Sequence, residues 1–116
     1  MTSTQTGRYA EDQACRFLEG KGFKILDRNW RNRWCEIDIV SQKGQRIHFV
    51  EVKYRTSGAY GSGLDYITRR KARQMERAAL NWVADHDWQS DYQLDVISVG
   101  GSAKPKIIYI ANAIGF

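Results

Sequence analysis

The stretch "EIDIVSQKGQRIHFVEVKYR", from Glu36 to Arg55, decides the fold. Apolar residues alternate with polar ones on both sides of a glycine, which predicts a β-hairpin because strand side chains alternate between the two faces of a sheet. We expect strands at Trp34–Val40 and Arg46–Tyr54, joined by the turn "QKGQ". Gly44 in that turn is suited to a positive φ.

Four charged residues interrupt the apolar pattern of the hairpin: Glu36, Asp38, Glu51 and Lys53. Pairing Ser41 with Arg46 around the turn predicts that Asp38 lies diagonal to Glu51 on one surface of the sheet. The strand at Arg46–Tyr54 carries apolar residues on both faces, so we expect both of its faces to be covered. An unpaired carboxylate buried there costs several kcal/mol or shifts its pKa, so something must compensate it.

Two interpretations of these acids follow from the residues. An internal ion pair of Glu51 with Lys53 or Arg55 explains one acid and one base. A divalent cation also explains why Asp38 and Glu36 gather on the same surface, since Mg²⁺ takes hard oxygen ligands. Both interpretations stay open at this point, and we favour the metal site.

The remaining pattern predicts an α/β fold of order αβββαββ, with a mixed β-sheet flanked by helices, in a single domain over residues 1–116. Thr68 is the expected N-cap of the second helix. A glycine-rich loop is expected before it. The other predicted elements are a helix at Thr6–Glu19, the loop at Arg55–Asp65, the second helix to about Asp85, and strands at Phe23–Trp30, Tyr92–Val99 and Lys106–Ile114.

Composition and charge restrict the partners. The net charge of +5 favours nucleic acid. No apolar run approaches the roughly 20 residues that span a bilayer, and the N-terminus lacks a signal-peptide pattern, so we expect a cytoplasmic protein with no membrane contact. Cys15 and Cys35 form no metal-binding cluster and are expected to be reduced, packed thiols. His48 and His86 are isolated in sequence and are assigned no role.

The second predicted helix carries a basic stripe. Arg69, Arg73 and Arg77 recur every four residues, Arg70 and Lys71 flank them, and Glu76 is the only acid among these five bases. We interpret the stripe as a set of phosphate contacts, the alternative being a solvated, solubilising face.

Aromatic and basic residues also alternate elsewhere. "RNWRNRW", from Arg28 to Trp34, places Arg31 just before the hairpin, a pattern suited to nucleic acid, although we expect Trp30 and Trp34 to pack in the core. Tyr60 and Tyr66 in the glycine loop are candidates to stack on an unpaired base, with Tyr66 alternatively in the core.

An acid on the first helix, an Asp on a strand and Glu-x-Lys on the next strand resemble the PD-(D/E)xK, or restriction-endonuclease-like, nuclease superfamily. Longer segments look like the YraN-type family of small bacterial proteins, which is related to archaeal Holliday-junction resolvases. These segments cover nearly the whole chain: "GRYAEDQACRFLEGKGFKILDRNWR", "EIDIV", "FVEVKYR" and "LDVISV…IIYIANA". Ile37 stands where the superfamily name has proline.

The resemblance implies a function for each matching residue. Asp38 and Glu51 would bind Mg²⁺, or Mn²⁺ in its place, together with the backbone carbonyl of Val52. Lys53 would orient the attacking water and steady charge on the phosphate. Glu11 would join the acids from the first helix, and Glu36 lies outside this core set.

We therefore expect a metal-dependent nuclease that hydrolyses DNA rather than RNA, on branched or structured substrates. A homodimer is expected because cutting a junction needs two sites. Nucleic-acid contacts would come from the basic stripe together with Arg55 and Arg31. The alternatives are a nucleic-acid-binding module with a silent site, and an interaction subunit that uses the sheet edge.

Overall fold

The computed structural model describes residues 2–55, 67–101 and 104–114. It confirms the α/β class and the order αβββαββ. Tyr60, Tyr66 and the predicted glycine loop after Arg55 lie outside the described residues. The elements are α1 (Ser3–Gly20), β1 (Lys24–Arg31), β2 (Glu36–Lys43), β3 (Arg46–Arg55), α2 (Arg69–Asp85), β4 (Asp91–Gly100) and β5 (Ile107–Ile110).

Both helices are delimited by capping residues. α1 begins three residues earlier than predicted because Thr2 and Gln5 form a capping box, in which each side chain accepts a hydrogen bond from the other residue's backbone N–H. It ends at Gly20, and Gly22 turns the chain two residues later with a φ of 91°, which suits a residue without a Cβ. Thr68 caps α2, as predicted, by accepting from the backbone N–H of Lys71.

The two helices pack on one five-stranded sheet, whose strands have the spatial order β1-β2-β3-β4-β5. Neighbouring strands are antiparallel except β3 and β4, which are parallel and are connected through α2. One core cluster lies between α1 and the sheet and includes Leu18, Val50 and Ile97. The other lies between α2 and the sheet and includes Phe49 and Trp82. Both faces of β3 are therefore covered, as predicted.

The hairpin register differs from the prediction by two residues. Lys43 pairs with Arg46, so the turn contains only Gly44 and Gln45, and the predicted pairing of Ser41 with Arg46 is wrong. Gly44 has a φ of 61°, which fits the first position of a two-residue hairpin turn. A shift of two preserves the face of every side chain. Extended by one residue past the last pair, Ile39 with Val50, the corrected register sets Asp38 opposite Glu51 rather than diagonal to it.

Other strand boundaries also differ from the prediction, including those of β5 and β2. β5 ends at Ile110, four residues before the predicted end. β2 begins at Glu36 because the Asn32 side chain accepts hydrogen bonds from the backbone N–H groups of Trp34 and Cys35 and holds a turn there. Trp34 is consequently 74% exposed, so its predicted place in the core is wrong. Trp30 packs against the core cluster, as predicted.

Neither of the two described helices is long and apolar enough to cross a membrane.

Candidate functional site

The candidate site lies where β2 and β3 stop pairing. The last paired residues of the two strands are Ile39 and Val50. One residue beyond, the carboxylate Oδ2 of Asp38 accepts a hydrogen bond of 2.9 Å from the backbone N–H of Val52. A side chain thus replaces a ladder partner, which satisfies the Val52 donor and fixes the Asp38 carboxylate beside β3.

Glu51 is the most deeply buried acid at this point, with 8% of the residue exposed. Its Oε1 lies 3.7 Å from Nζ of Lys53 and 3.3 Å from Nζ of Lys71. Burial, followed by the negative charge of Asp38, raises the pKa of Glu51 to about 7, although both lysines act to lower it. The two ammonium groups therefore only partly compensate the buried carboxylate.

Asp38 responds in the same direction. Burial raises its pKa above the ordinary value, while the Val52 N–H and the charge of Lys71 oppose the shift. The charge of Asp38 raises the pKa of Glu51, so these two neighbouring carboxylates resist being ionised together. A group that supplies positive charge between them would relieve this repulsion.

Glu11, which the resemblance assigns to the same acidic site, lies on α1 and contacts residues of β1. Its Oε1 accepts a hydrogen bond of 2.8 Å from Nδ2 of Asn29 and lies 3.8 Å from Nη2 of Arg28. Burial raises the pKa of Glu11, and the charge of Asp38 adds to that shift. Asn29 has a φ of 52°, a left-handed conformation that asparagine tolerates better than most residues.

The donor set fits a hydrated hard cation. Among the residues that the structure describes, no group of three or more His, Cys, Asp or Glu side chains could enclose a metal ion. Two carboxylates and the Val52 carbonyl form a smaller set. Mg²⁺ is commonly bound by one or two carboxylates and keeps several waters, so such a set suits it. The pKa values of both acids are raised, so a positive charge beside them would stabilise their ionised forms.

The structure also contains the ion pair that the alternative interpretation predicts, together with a second partner of Glu51. Glu51 pairs with Lys53, as that interpretation held, but its closer partner is Lys71 rather than Arg55. Lys71 was predicted only as part of the basic stripe. The sequence could have predicted that Lys71 faces the sheet, because it lies four residues before Met75 and residues four apart share a helix face.

The other stripe residues are exposed on α2: Arg69, Arg70, Arg73 and Arg77. Arg31 is also exposed, and it lines one hollow together with Lys71 and Arg77. Arg55 differs from the other predicted contacts. It is only 9% exposed, and its Nη2 donates a hydrogen bond of 2.7 Å to the carbonyl of Lys106. We therefore leave Arg55 out of the surface available to a partner.

Sequence reasoning missed a second polar centre. His48 is not isolated, because its Nδ1 lies 2.7 Å from Oδ2 of the fully buried Asp95. Tyr109, Gln93 and the backbone N–H of Asn112 donate to the same carboxylate. His48 and Asp95 are 47 positions apart in the sequence, so no local sequence pattern predicts their contact.

Both cysteines are free, as expected, with Cys15 buried and Cys35 partly buried. Burial raises the pKa of the Cys15 thiol. Neither side chain contributes to the carboxylate site.

The sequence matches known proteins over most of its length. A UPF0102 protein of Sulfurihydrogenibium sp. (strain YO3AOP1) is 37% identical over 114 residues, which cover 97% of this chain and 96% of the relative. One from Parafrankia sp. (strain EAN1pec) is 45% identical over 98 residues, covering 84% and 83%. One from Geobacter metallireducens is 45% identical over 109 residues, covering 92% and 89%.

The model of the uncharacterised protein family UPF0102 matches residues 10–99. This range includes Glu11, Asp38, Glu51 and Lys53, so the match covers all four residues of the candidate site. The chain therefore belongs to UPF0102, the YraN-type family that its motifs resemble.

Proposed function

We propose that the protein is a metal-dependent nuclease that hydrolyses phosphodiester bonds in DNA. The observation that carries this proposal is the pair of carboxylates, the partly buried Asp38 and the buried Glu51, beside the ammonium group of Lys53. The resemblance to PD-(D/E)xK nucleases assigns the same three residues to metal binding and water activation. The geometry and the resemblance are independent grounds for one assignment.

The acids alone would repel a phosphodiester. Asp38, Glu51 and the Val52 carbonyl are the groups that would hold Mg²⁺, or Mn²⁺ in its place. A bound Mg²⁺ supplies charge that attracts the phosphate and lowers the pKa of water. Lys53 keeps 30% of its side chain exposed, so its ammonium group is accessible to a phosphate oxygen and to the attacking water. Its charge would then offset the charge that develops on the phosphate.

A nucleic acid is the proposed substrate because the chain is basic and α2 exposes a row of arginines, and DNA is proposed on the resemblance to DNA nucleases. Phosphate contacts of this kind position a backbone without reading its sequence. Branched DNA and a homodimer are proposed on the resemblance to junction resolvases, since cutting a junction requires two active sites.

A panel of labelled branched, single-stranded and duplex DNAs, incubated with Mg²⁺ or Mn²⁺, tests the proposal. We expect metal-dependent cleavage of at least one substrate by the wild type. Asp38→Asn and Lys53→Met should abolish cleavage while DNA affinity is retained. Asp91→Asn is the matched control, because Asp91 is an exposed acid whose ion-pair partner is Arg46 rather than a residue of the site. It should cleave like the wild type.

A nucleic-acid-binding module with a silent site is the second candidate. It is favoured by the two lysines that already contact the Glu51 carboxylate. It predicts DNA binding without cleavage under any metal and no effect of Asp38→Asn on that binding. That result would overturn the nuclease proposal.

A further inference from the structure

Trp34 is presented to solvent by a built turn. It is 74% exposed, whereas Trp30 and Trp88 are half-buried and Trp82 is buried. The Asn32 side chain accepts hydrogen bonds of 2.9 and 2.8 Å from the backbone N–H groups of Trp34 and Cys35. Nδ2 of Asn32 also donates to Oδ1 of Asn81, which anchors the turn to α2. The indole therefore projects from a fixed backbone rather than from an unsupported loop.

The hollow beside this indole has the size and charge of a nucleotide site. Its volume is about 350 Å³, within the range of about 300–1,000 Å³ that is usual for small-molecule sites. Three cationic side chains line it, against the single acid Glu36. These cations come from β1 and α2: Arg31, Lys71 and Arg77. Such a lining attracts phosphate while the indole offers a flat apolar surface.

A cation already lies against the indole. The guanidinium carbon of Arg33 is 5.8 Å from the ring centroid of Trp34, within cation–π range. Aromatic rings supported by arginine are the usual platforms on which proteins stack single-stranded bases.

Lys71 connects the hollow to the carboxylates. Its side chain lines the hollow, and its Nζ lies 3.3 Å from Oε1 of Glu51. The hollow that Trp34 lines and the Glu51 carboxylate therefore share one side chain, Lys71.

We propose that Trp34 and the hollow beside it bind an unpaired nucleobase next to the phosphodiester held at the carboxylates. Inside a duplex both faces of a base are covered by its neighbours, so the indole stacks more readily on an unpaired base. The site thus selects DNA with a single-stranded segment, such as a flap, a gap or an opened junction. This inference rests on the proposed nuclease function and specifies its substrate.

Binding measured without metal separates the inference from catalysis. The probes are a fluorescein-labelled single strand, a strand of the same length with abasic sites throughout its centre, and a blunt duplex, all in EDTA. Because stacking one base is worth about 1–3 kcal/mol, we expect the wild type to bind the base-bearing strand about tenfold more tightly than the abasic strand. Trp34→Ala should abolish this difference, and Trp34→Phe should retain most of it.

Two variants serve as controls. Leu80→Ala removes the other large apolar side chain that is exposed in the described part of the chain, at 56%, and should change nothing. Arg77→Ala should lower the slope of log affinity against log salt by about 1, because it removes a phosphate contact. Trp34→Ala should leave that slope unchanged.

Each outcome decides the matter. A wild type that does not distinguish the base-bearing from the abasic strand, or a Trp34→Ala variant that keeps the difference, overturns the inference. Metal-dependent cleavage by the same preparation would leave the nuclease function standing in that case. A wild type that binds none of the three DNAs in EDTA also overturns the inference, and the nuclease proposal falls with it only if the same preparation cleaves no DNA in Mg²⁺ or Mn²⁺.

Discussion

Two buried acids on adjacent strands, Asp95 and Glu51, have pKa values that are shifted in opposite directions. Asp95 on β4 pairs with Val50, the residue before Glu51 on β3, so the two acids point to opposite faces of the sheet at nearly the same height. Burial alone would raise the pKa of Asp95, but its donors outweigh burial and hold the pKa below the ordinary value. Burial of Glu51 prevails instead and raises its pKa to about 7.

The difference lies in the donors. His48, Tyr109 and the Asn112 N–H contact Asp95 at 2.6–2.8 Å. The ammonium groups beside Glu51 are at 3.3 and 3.7 Å and belong to side chains that are about 30% exposed. A buried acid with a full set of donors stabilises the fold. A buried acid without one costs stability, which is typical of groups retained for binding or catalysis.

The largest expected effect is that of Asp95→Asn. The amide replaces one carboxylate oxygen, which accepts from two of the present donors, by an NH2 group that cannot accept, and it removes the charge that all four contacts stabilise, so we expect the free energy of unfolding to fall by about 3–5 kcal/mol. Urea denaturation at pH 7 measures it. The control is Asp91→Asn, because Asp91 is exposed on the same strand and lies 3.6 Å from Arg46. Its effect should stay within about 0.5 kcal/mol. A loss below about 1 kcal/mol for Asp95→Asn would break the comparison.

Glu51→Gln should stabilise the protein at high pH. The folded-state pKa of about 7 exceeds the ordinary 4.5, so between these values the folded protein holds a proton that the unfolded chain has released. Stability of the wild type therefore falls as pH rises from about 4.5 to 7. The variant should lack this slope and gain at most about 3 kcal/mol at pH 8.

Urea denaturation at pH 5 and pH 8, in EDTA, checks this expectation. A variant that is less stable than the wild type at pH 8 would mean that the pairs with Lys53 and Lys71 outweigh burial. The acid at β3 would then be structural, like Asp95.

A smaller effect should follow from Tyr109→Phe. The Tyr109 hydroxyl donates to Oδ2 of Asp95 at 2.6 Å, and hydrogen bonds to charged groups contribute about 1.5–3 kcal/mol. We expect a loss of about 1.5 kcal/mol by urea denaturation, with DNA cleavage unchanged. Tyr9→Phe is a suitable control, since the Tyr9 ring packs edge-on against Tyr54 and its hydroxyl makes no hydrogen bond within the described residues. Equal losses of unfolding free energy in both variants would mean that the hydrogen bond from Tyr109 to Asp95 contributes nothing to stability.

Local patterns were sufficient to predict much of the fold. Alternation in β2 and β3 identified the face on which Asp38 and Glu51 meet, because parity survives a register shift of two. The register itself was not predictable from alternation, since it depends on how many residues the turn uses. Gly44 suits a two-residue turn as well as a four-residue one.

Long-range contacts account for what was missed. The partnership of Lys71 with Glu51 depends on how α2 lies across the sheet, and that of His48 with Asp95 on the parallel pairing of β3 with β4. Trp34 was misplaced because its exposure is set by the Asn32 turn. Asparagine two residues before an exposed position is a weak signal compared with the apolar character of tryptophan itself.

The strand order also bears on how the chain folds. β1, β2 and β3 are consecutive neighbours, so Asp38 and Glu51 meet by closing a two-residue turn. β4 joins β3 only after α2 has crossed over, which pairs Arg46 with Asp91 and closes a much longer loop. Local pairs form faster than distant ones because closing a short loop loses less entropy. We therefore expect the repelling acids to be brought together early in folding, and the Asp95 cluster, which lies on the later strand, to lock the sheet afterwards.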